Sequence, residues 1–349
     1  MRTMLTDSVT RRSPHTRFTF IVSLLAALML VAGGDVNAQD TIAGIEHWVP
    51  SVSAADGKPL NLFVWEKRQK DIDVKEYAKG GRVVLLAHGA TTPGSLAFDF
   101  QLSSKTELTY SLMNYLAERG FDVFALEYQN YGRSDKHQCG ICVSTQVAAN
   151  DINAVVDYVR SQRDVEKVYL LGWSWGTLTA GLFTMQRPDK VRRLVLYAPP
   201  VWRGPREKAP TAQFRPVTVE VSKNLFEPQA TDPEVIETFV REAVKYEKAP
   251  NGCYMDLFTK MPVTDPKQIP VPTMIILGEL DRLTPINQPE LPGFFADLPN
   301  PDKQFIIVPG AGHALIMQKP RLRLFLEVVK WFSLDQPGWR MEAPGIGPR

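Results

Sequence analysis

The sequence predicts an α/β protein: a doubly wound, mostly parallel sheet with helices on both faces, and a cap or lid insert after the sixth strand. Three observations predict it. Strand-like and helix-like segments alternate with short connections, the strand-like segment at 82–87 reads as a continuous apolar run after Arg82, and one connection of 73 residues, between Ala198 and Pro272, breaks that rhythm.

In order, residues 47–53 and 60–66 read as strands joined by the turn Ala55-Asp56-Gly57. In the run 82–87 every residue after Arg82 is apolar, as suits a strand buried on both faces. A helix is expected over 108–119, with apolar positions Leu108, Leu112, Tyr115 and Leu116 and a stop at Gly120. Strand 121–126, helix 147–160, strand 168–172, helix 176–186 and strand 191–198 follow. Beyond the gap come strands 272–277 and 304–308 and a final helix over 322–332. Residues 39–198 and 269–335 thus make the core, and 199–268 the insert. Within the insert, Asp232 is expected to cap a helix with Pro233 at its first position; Val235, Ile236, Phe239, Val240 and Val244 form its apolar stripe. The Pro- and Gly-rich tail 336–349 is expected to be disordered.

Residues 1–38 read as a secretory signal peptide. Arg11, Arg12 and Arg17 precede an apolar run over 18–31, and Val36-Asn37-Ala38 supplies the small-residue cleavage site. The 14-residue run falls short of the roughly 20 residues that a spanning helix needs, so no stable membrane span is expected after cleavage. Export to the periplasm or the extracellular space is the expectation. The leader carries four of the 40 basic and two of the 38 acidic residues, leaving 36 of each. The remainder is therefore formally neutral, with no clustered cationic face of the kind nucleic acid requires. With 44% hydrophobic residues the chain can bury a core without a cofactor, and none is implied.

Gly172-Trp173-Ser174-Trp175-Gly176 lies where a predicted strand gives way to a predicted helix. Glycines on both sides permit a tight strand-to-helix turn that lifts the serine hydroxyl out at the end of the sheet. The helix N-terminus behind it offers N–H groups to a developing oxyanion. Such a serine needs a base and the base an orienting acid. Of five histidines, His15 lies in the leader, His47 in the first strand and His137 in an early loop. His313, in Pro309-Gly-Ala-Gly-His-Ala314 directly after the last strand, is the candidate base. Asp281, after the preceding strand, is the candidate acid, with Glu279 in reserve. The order Ser174, Asp281, His313 is that of one known triad arrangement. His88-Gly89-Ala90 follows the third strand; the N–H of Ala90 or Thr91 would pair with that of Trp175 as an oxyanion hole, His88 orienting the loop.

Together His88-Gly89, Gly-Trp-Ser-Trp-Gly, Gly278-Glu-Leu-Asp281, the Gly312-His313 loop and Tyr131-Gly-Arg-Ser134 resemble the α/β-hydrolase superfamily, over roughly residues 45–334. The resemblance implies a serine hydrolase acting through an acyl-enzyme on a small-molecule ester, with amide and lactone substrates as alternatives. A non-catalytic binding protein of the same fold is the rival, although all three triad positions are filled. Ser-Trp-Gly at the elbow is similar to prolyl iminopeptidases, whose His-Gly-Gly-Pro-Gly loop is here His88-Gly-Ala-Thr-Thr. A serine also stands where dehalogenases and epoxide hydrolases carry aspartate.

Cys139-Gly-Ile-Cys142 has the spacing of a redox motif, but export favours a structural disulfide, and a zinc site would need more ligands than His137 and these two thiols. Three cysteines allow Cys139–Cys142 or a bridge from either to Cys253 in the insert. Trp173 and Trp175 are expected to pack beneath the site, and Trp202 to line an acyl or aromatic pocket.

Overall fold

The computed structural model describes residues 41–102, 104, 110–202 and 208–335. The expected signal peptide and the expected disordered tail lie outside the described residues, as do Leu108 and the residue after it.

Strand β1 (Ile42–Val52) pairs antiparallel with β2 (Pro59–Gln69), and its alternating burial marks an outer strand with one face to solvent. Helix α1 (Val74–Gly80) follows, capped by the Asp73 side chain and closed by Gly81 at φ 58°. Strand β3 (Val83–Ala87) is buried at every position; after it come α2 (Gly94–Phe98) and α3 (Leu112–Ala117). Helix α3 begins later than its apolar pattern suggests because Ser111 caps it, accepting from the Asn114 N–H at 2.9 Å. Strand β4 (Asp122–Leu126), helix α4 (Thr145–Arg163), strand β5 (Val168–Trp173), helix α5 (Trp175–Gln186) and strand β6 (Val191–Tyr197) complete the first half.

Between β6 and the next core strand the chain forms a small antiparallel pair, β7 (Phe214–Pro216) with β8 (Lys248–Pro250), and helices α6 (Val219–Lys223), α7 (Pro233–Ala243) and α8 (Gly252–Thr259). Helix α7 starts at Pro233 as expected and buries Val235, Phe239 and Val240. Asp232 stands at the N-cap, but its side chain makes no capping hydrogen bond; its Oδ2 accepts from the Tyr110 hydroxyl at 3.2 Å. Strand β9 (Thr273–Gly278), helix α9 (Leu291–Asp297), strand β10 (Lys303–Val308) and helix α10 (Arg321–Ser333) return to the core.

The main sheet has eight strands in the order β1-β2-β4-β3-β5-β6-β9-β10. All neighbours from β4 to β10 run parallel; β1–β2 and β2–β4 are antiparallel. After β3 the chain moves outward to β4, then returns to place β5 on the other side of β3. Strand order reverses there, and in such sheets the crevice beyond the carboxyl ends at the reversal is where ligands bind. Ala87 is paired with Gly172 across that boundary, so the segments leaving β3 and β5 emerge side by side. No helix among the described residues is long and apolar enough to cross a membrane.

Candidate active site

Ser174 is the single residue between β5 and α5, and its backbone takes φ 56°, ψ −124°, a conformation that costs any non-glycine residue energy. Its N–H donates to Tyr197 O at 2.9 Å and its carbonyl accepts from the Thr177 N–H at 2.9 Å and hydroxyl at 2.6 Å. These bonds hold the turn while the hydroxyl faces a cavity. Both flanking glycines are sterically required. A Cβ on Gly172 would overlap the Gly176 carbonyl oxygen, and one on Gly176 would overlap that of Ala87. The loop leaving β3 also passes close by: a Cβ on Gly89 would lie 3.2 Å from Ser174 Cβ.

His313 follows β10 in a loop tied down on three sides. Its carbonyl accepts from the Tyr197 hydroxyl at 2.6 Å and from Trp173 Nε1 at 3.1 Å, and the Gly312 N–H donates to Gln318 Oε1 at 2.6 Å. Gln318 Nε2 in turn donates to the buried Glu227 at 2.8 Å. The imidazole Nδ1 lies 2.9 Å from Asp281 Oδ2, both side chains being buried. Asp281 also accepts from the Leu283 N–H at 2.9 Å, the Thr284 N–H at 2.8 Å and the Thr284 hydroxyl at 2.7 Å. Burial alone would raise its pKa, but the His313 charge and the donors from His313 and Thr284 outweigh that and hold the carboxyl below its ordinary range. Glu279, the reserve acid, is spoken for elsewhere: its Oε2 accepts from the Gly310 N–H at 2.9 Å.

Ser174 and His313 line one cavity of about 290 Å³, although no hydrogen bond joins Ser174 Oγ to the imidazole in this structure. Catalytic hydrogen bonds are commonly loose before substrate binds. Ala90 lines the same cavity, and neither its N–H nor that of Trp175, the first of α5, donates to an acceptor among the described residues. His88 is buried beneath them. Burial depresses its pKa to about 3, only partly opposed by its bond to Gly89, so the ring is neutral. In that state Nδ1–H donates to Gly89 O at 2.7 Å and Nε2 accepts from the Tyr128 N–H at 3.3 Å, which is the loop-orienting role expected of it.

Of the other expected residues, Trp175 is fully buried and donates to Thr145 Oγ1 at 3.0 Å. Trp173 both packs and lines the cavity, as does Trp202 from the insert. Cys139 and Cys142 form the disulfide, with Cα atoms 5.3 Å apart, and Cys253 is the buried free thiol. His47 and His137 are engaged elsewhere, with Glu66 and with Gln129. Tyr197, Thr284 and Gln318 also support the site: the Tyr197 hydroxyl reaches a carbonyl 116 positions away, which leaves no local signal, whereas Thr284 and Gln318 bond residues three and six positions away.

The family model for serine aminopeptidase, S33 (Hydrolase_4) matches residues 103–320, more than half of the chain. A 2-hydroxy-6-oxononadienedioate/2-hydroxy-6-oxononatrienedioate hydrolase of Klebsiella pneumoniae is 25% identical over 260 residues, covering 68% of this chain and 84% of the relative. Among solved structures, an esterase from Exiguobacterium antarcticum superposes with a TM-score of 0.60 at 19% identity, covering 83% of this chain and 100% of that one. The 2-hydroxy-6-oxo-6-phenylhexa-2,4-dienoate hydrolase of Rhodococcus sp. strain RHA1 superposes with a TM-score of 0.56 at 16% identity, covering 82% and 100%. The parallel sheet, the strained turn at its reversal point and the matched family model agree: this chain belongs to the serine aminopeptidase S33 family and is a hydrolase of the α/β-hydrolase fold.

Proposed function

We propose that the protein is an exported serine hydrolase that cleaves a carboxylic ester through an acyl-enzyme on Ser174. The observation that carries this reading is the strained Ser174 turn opening into one cavity with an imidazole that is hydrogen-bonded to a buried aspartate. Ser174 Oγ attacks the ester carbonyl as His313 Nε2 takes its proton, and Asp281 at Nδ1 stabilises the imidazolium. The tetrahedral oxyanion rests on the N–H groups of Ala90 and Trp175. His313 returns the proton to the departing alcohol, and a water activated by the same imidazole then releases the acid.

Ester rather than peptide N-terminus is favoured by the cavity wall. Recognition of a free α-ammonium calls for a carboxylate beside it, and none occurs among the described residues lining the cavity. Trp202, Leu225, Tyr254, Leu257 and Phe258 supply an apolar wall, so the 199–268 insert serves as a cap that accommodates an apolar acyl or aromatic group.

The test is labelling of the protein with a fluorophosphonate, peptide mapping of the adduct, and turnover of a panel of esters, lactones and amides of graded acyl size. The panel includes the oxo-dienedioate for which the Klebsiella relative is named. The expected result is one adduct, on Ser174, and fastest turnover of an apolar ester. Labelling elsewhere, or turnover of the dienedioate alone, would replace this reading. The 1–38 pattern and the Cys139–Cys142 disulfide support export. N-terminal sequencing of the protein from a periplasmic or culture fraction is expected to begin at Gln39; a start at Met1 there would remove that part of the reading.

A further inference from the structure

A feature outside the triad reaches into the oxyanion loop from the insert. Arg215 lies on β7, opposite Ala249 of β8. Its Nη2 donates to Ala90 O and, at 3.2 Å, to Thr91 Oγ1. The guanidinium is itself held by Pro250 O and by Asn251 Oδ1 at 3.3 Å, and stacks 4.1 Å from the Tyr254 ring centroid. Ala90 O takes a second donor, the Tyr131 hydroxyl at 2.7 Å. The β7–β8 pair is braced in turn by the disulfide loop: Gly252 N–H donates to Gly140 O at 3.0 Å and Ile141 N–H to Gln213 Oε1 at 3.1 Å.

The two peptide planes that meet at Ala90 Cα are therefore each fixed by a different part of the molecule. A trans peptide is planar, with C=O and N–H pointing in opposite directions. His88 holds Gly89 O, which aims the Ala90 N–H away from the imidazole. Arg215 and Tyr131 hold Ala90 O, which fixes the next plane and stops the first from rotating about Ala90. The loop between Ala87 and α2 has no ladder of its own to do this. An oxyanion donor accelerates a reaction because it is already aimed when charge develops; one that must swing into place gives back part of that gain. A charged donor on the neighbouring carbonyl is the stronger kind of restraint.

We propose that Arg215 is a positioning residue for the oxyanion hole, by which the docked insert holds the Ala90 N–H in its productive direction. This rests on the ester-hydrolase reading above. It makes the insert more than a wall for the substrate, since its departure from the core would disarm the hole as well as open the cavity.

The experiment compares the mature protein with Arg215→Met, Arg215→Lys and Tyr131→Phe, measuring kcat and KM on the best ester of the panel. It also measures inhibition by a trifluoromethyl ketone, whose tetrahedral adduct places an oxyanion in the hole. Deleting an oxyanion donor outright costs about 10²–10³ in kcat. Misaiming one is expected to cost about 10–100-fold in Arg215→Met and less in Arg215→Lys, with KM within about twofold and ketone affinity falling in step with kcat. A kcat near wild type in Arg215→Met, or a raised KM with kcat unchanged, would overturn the proposal while leaving the ester-hydrolase reading standing. If Arg215→Met does not fold, Tyr131→Phe decides, since it removes one donor to the same carbonyl and little volume: a severalfold lower kcat with KM and melting temperature unchanged supports the proposal, and wild-type kcat ends it. A wild-type protein that neither labels nor turns over any ester overturns both.

Discussion

Ser174→Ala is expected to lower kcat for the ester by about 10⁵–10⁶-fold and to abolish fluorophosphonate labelling. His313→Ala is expected to match it, and the double variant to be no worse than either, because the residues act as one unit and the second loss has nothing left to remove. Asp281→Asn is expected to cost about 10⁴-fold. That substitution keeps the volume but presents an amide where Nδ1–H needs an acceptor, and it also unsettles the donors from Leu283 and Thr284. Glu279→Gln is the matched comparison. Its carboxylate serves the Gly310 N–H and not the imidazole, so kcat should stay within a few-fold of wild type. Steady-state kinetics on the four single variants and the double variant checks the set, and near-wild-type turnover in Asp281→Asn would remove Asp281 from the triad. The acid limb of the wild-type pH profile should not be Asp281 titrating. Its folded-state pKa lies below the ordinary value, so it remains ionised until the pH falls below the range where free carboxylates protonate. Its contribution to stability is accordingly present above that range and lost only as pH falls through the depressed pKa.

What made this site legible in the sequence was the coupling of motif to strand end. Gly172-Trp-Ser-Trp-Gly176 alone is a short pattern, but it falls where an apolar strand run meets a helix pattern. Asp281 and His313 each follow a strand of the same parallel sheet, and parallel strands deliver their following loops to one end. Order along the chain therefore stood in for proximity. The strands of the core were legible for a similar reason: β3, β4, β5 and β9 are buried at every position and, apart from Asp122 and Thr273 at the starts of β4 and β9, read as apolar runs. Helices α2 and α9 escaped because five and seven residues are too few for a helical period to declare itself. The pairing of Cys139 with Cys142 rather than Cys253 needed the fold, which puts Cys253 under the Ala90 carbonyl, beside Arg215 and Tyr131. Arg215 was invisible for the same reason. It bonds a residue 125 positions away through a carbonyl, and a carbonyl gives no residue-type signal.

Gly176→Ala is expected to be strongly destabilising for a change that adds a single methyl group. The new Cβ would overlap Ala87 O and come 2.7 Å from His88 O. Both are main-chain atoms, one on β3 and one at the root of the oxyanion loop, so no side chain can turn aside to relieve the contact. Either α5 moves off the sheet or the segment leaving β3 does, and each displaces an element that Ser174 depends on. Overpacking a well-filled interior costs about 1–3 kcal/mol, and a backbone-to-backbone clash belongs at or beyond the upper end. The variant should therefore unfold at markedly lower denaturant concentration, and whatever folds should lose turnover further, because the Ala87–Gly172 boundary sets the distance between elbow and hole. Gly293→Ala is the control. It sits in helix α9 with nothing within 4 Å of its would-be Cβ, and an alanine in a helix interior is worth roughly 0.5–1 kcal/mol over glycine. Denaturant melts of the two variants should move in opposite directions. If Gly176→Ala melts like wild type and turns over ester at the wild-type rate, close apposition of the β3 and β5 ends is not what the glycine secures, and the steric account of the elbow fails with it.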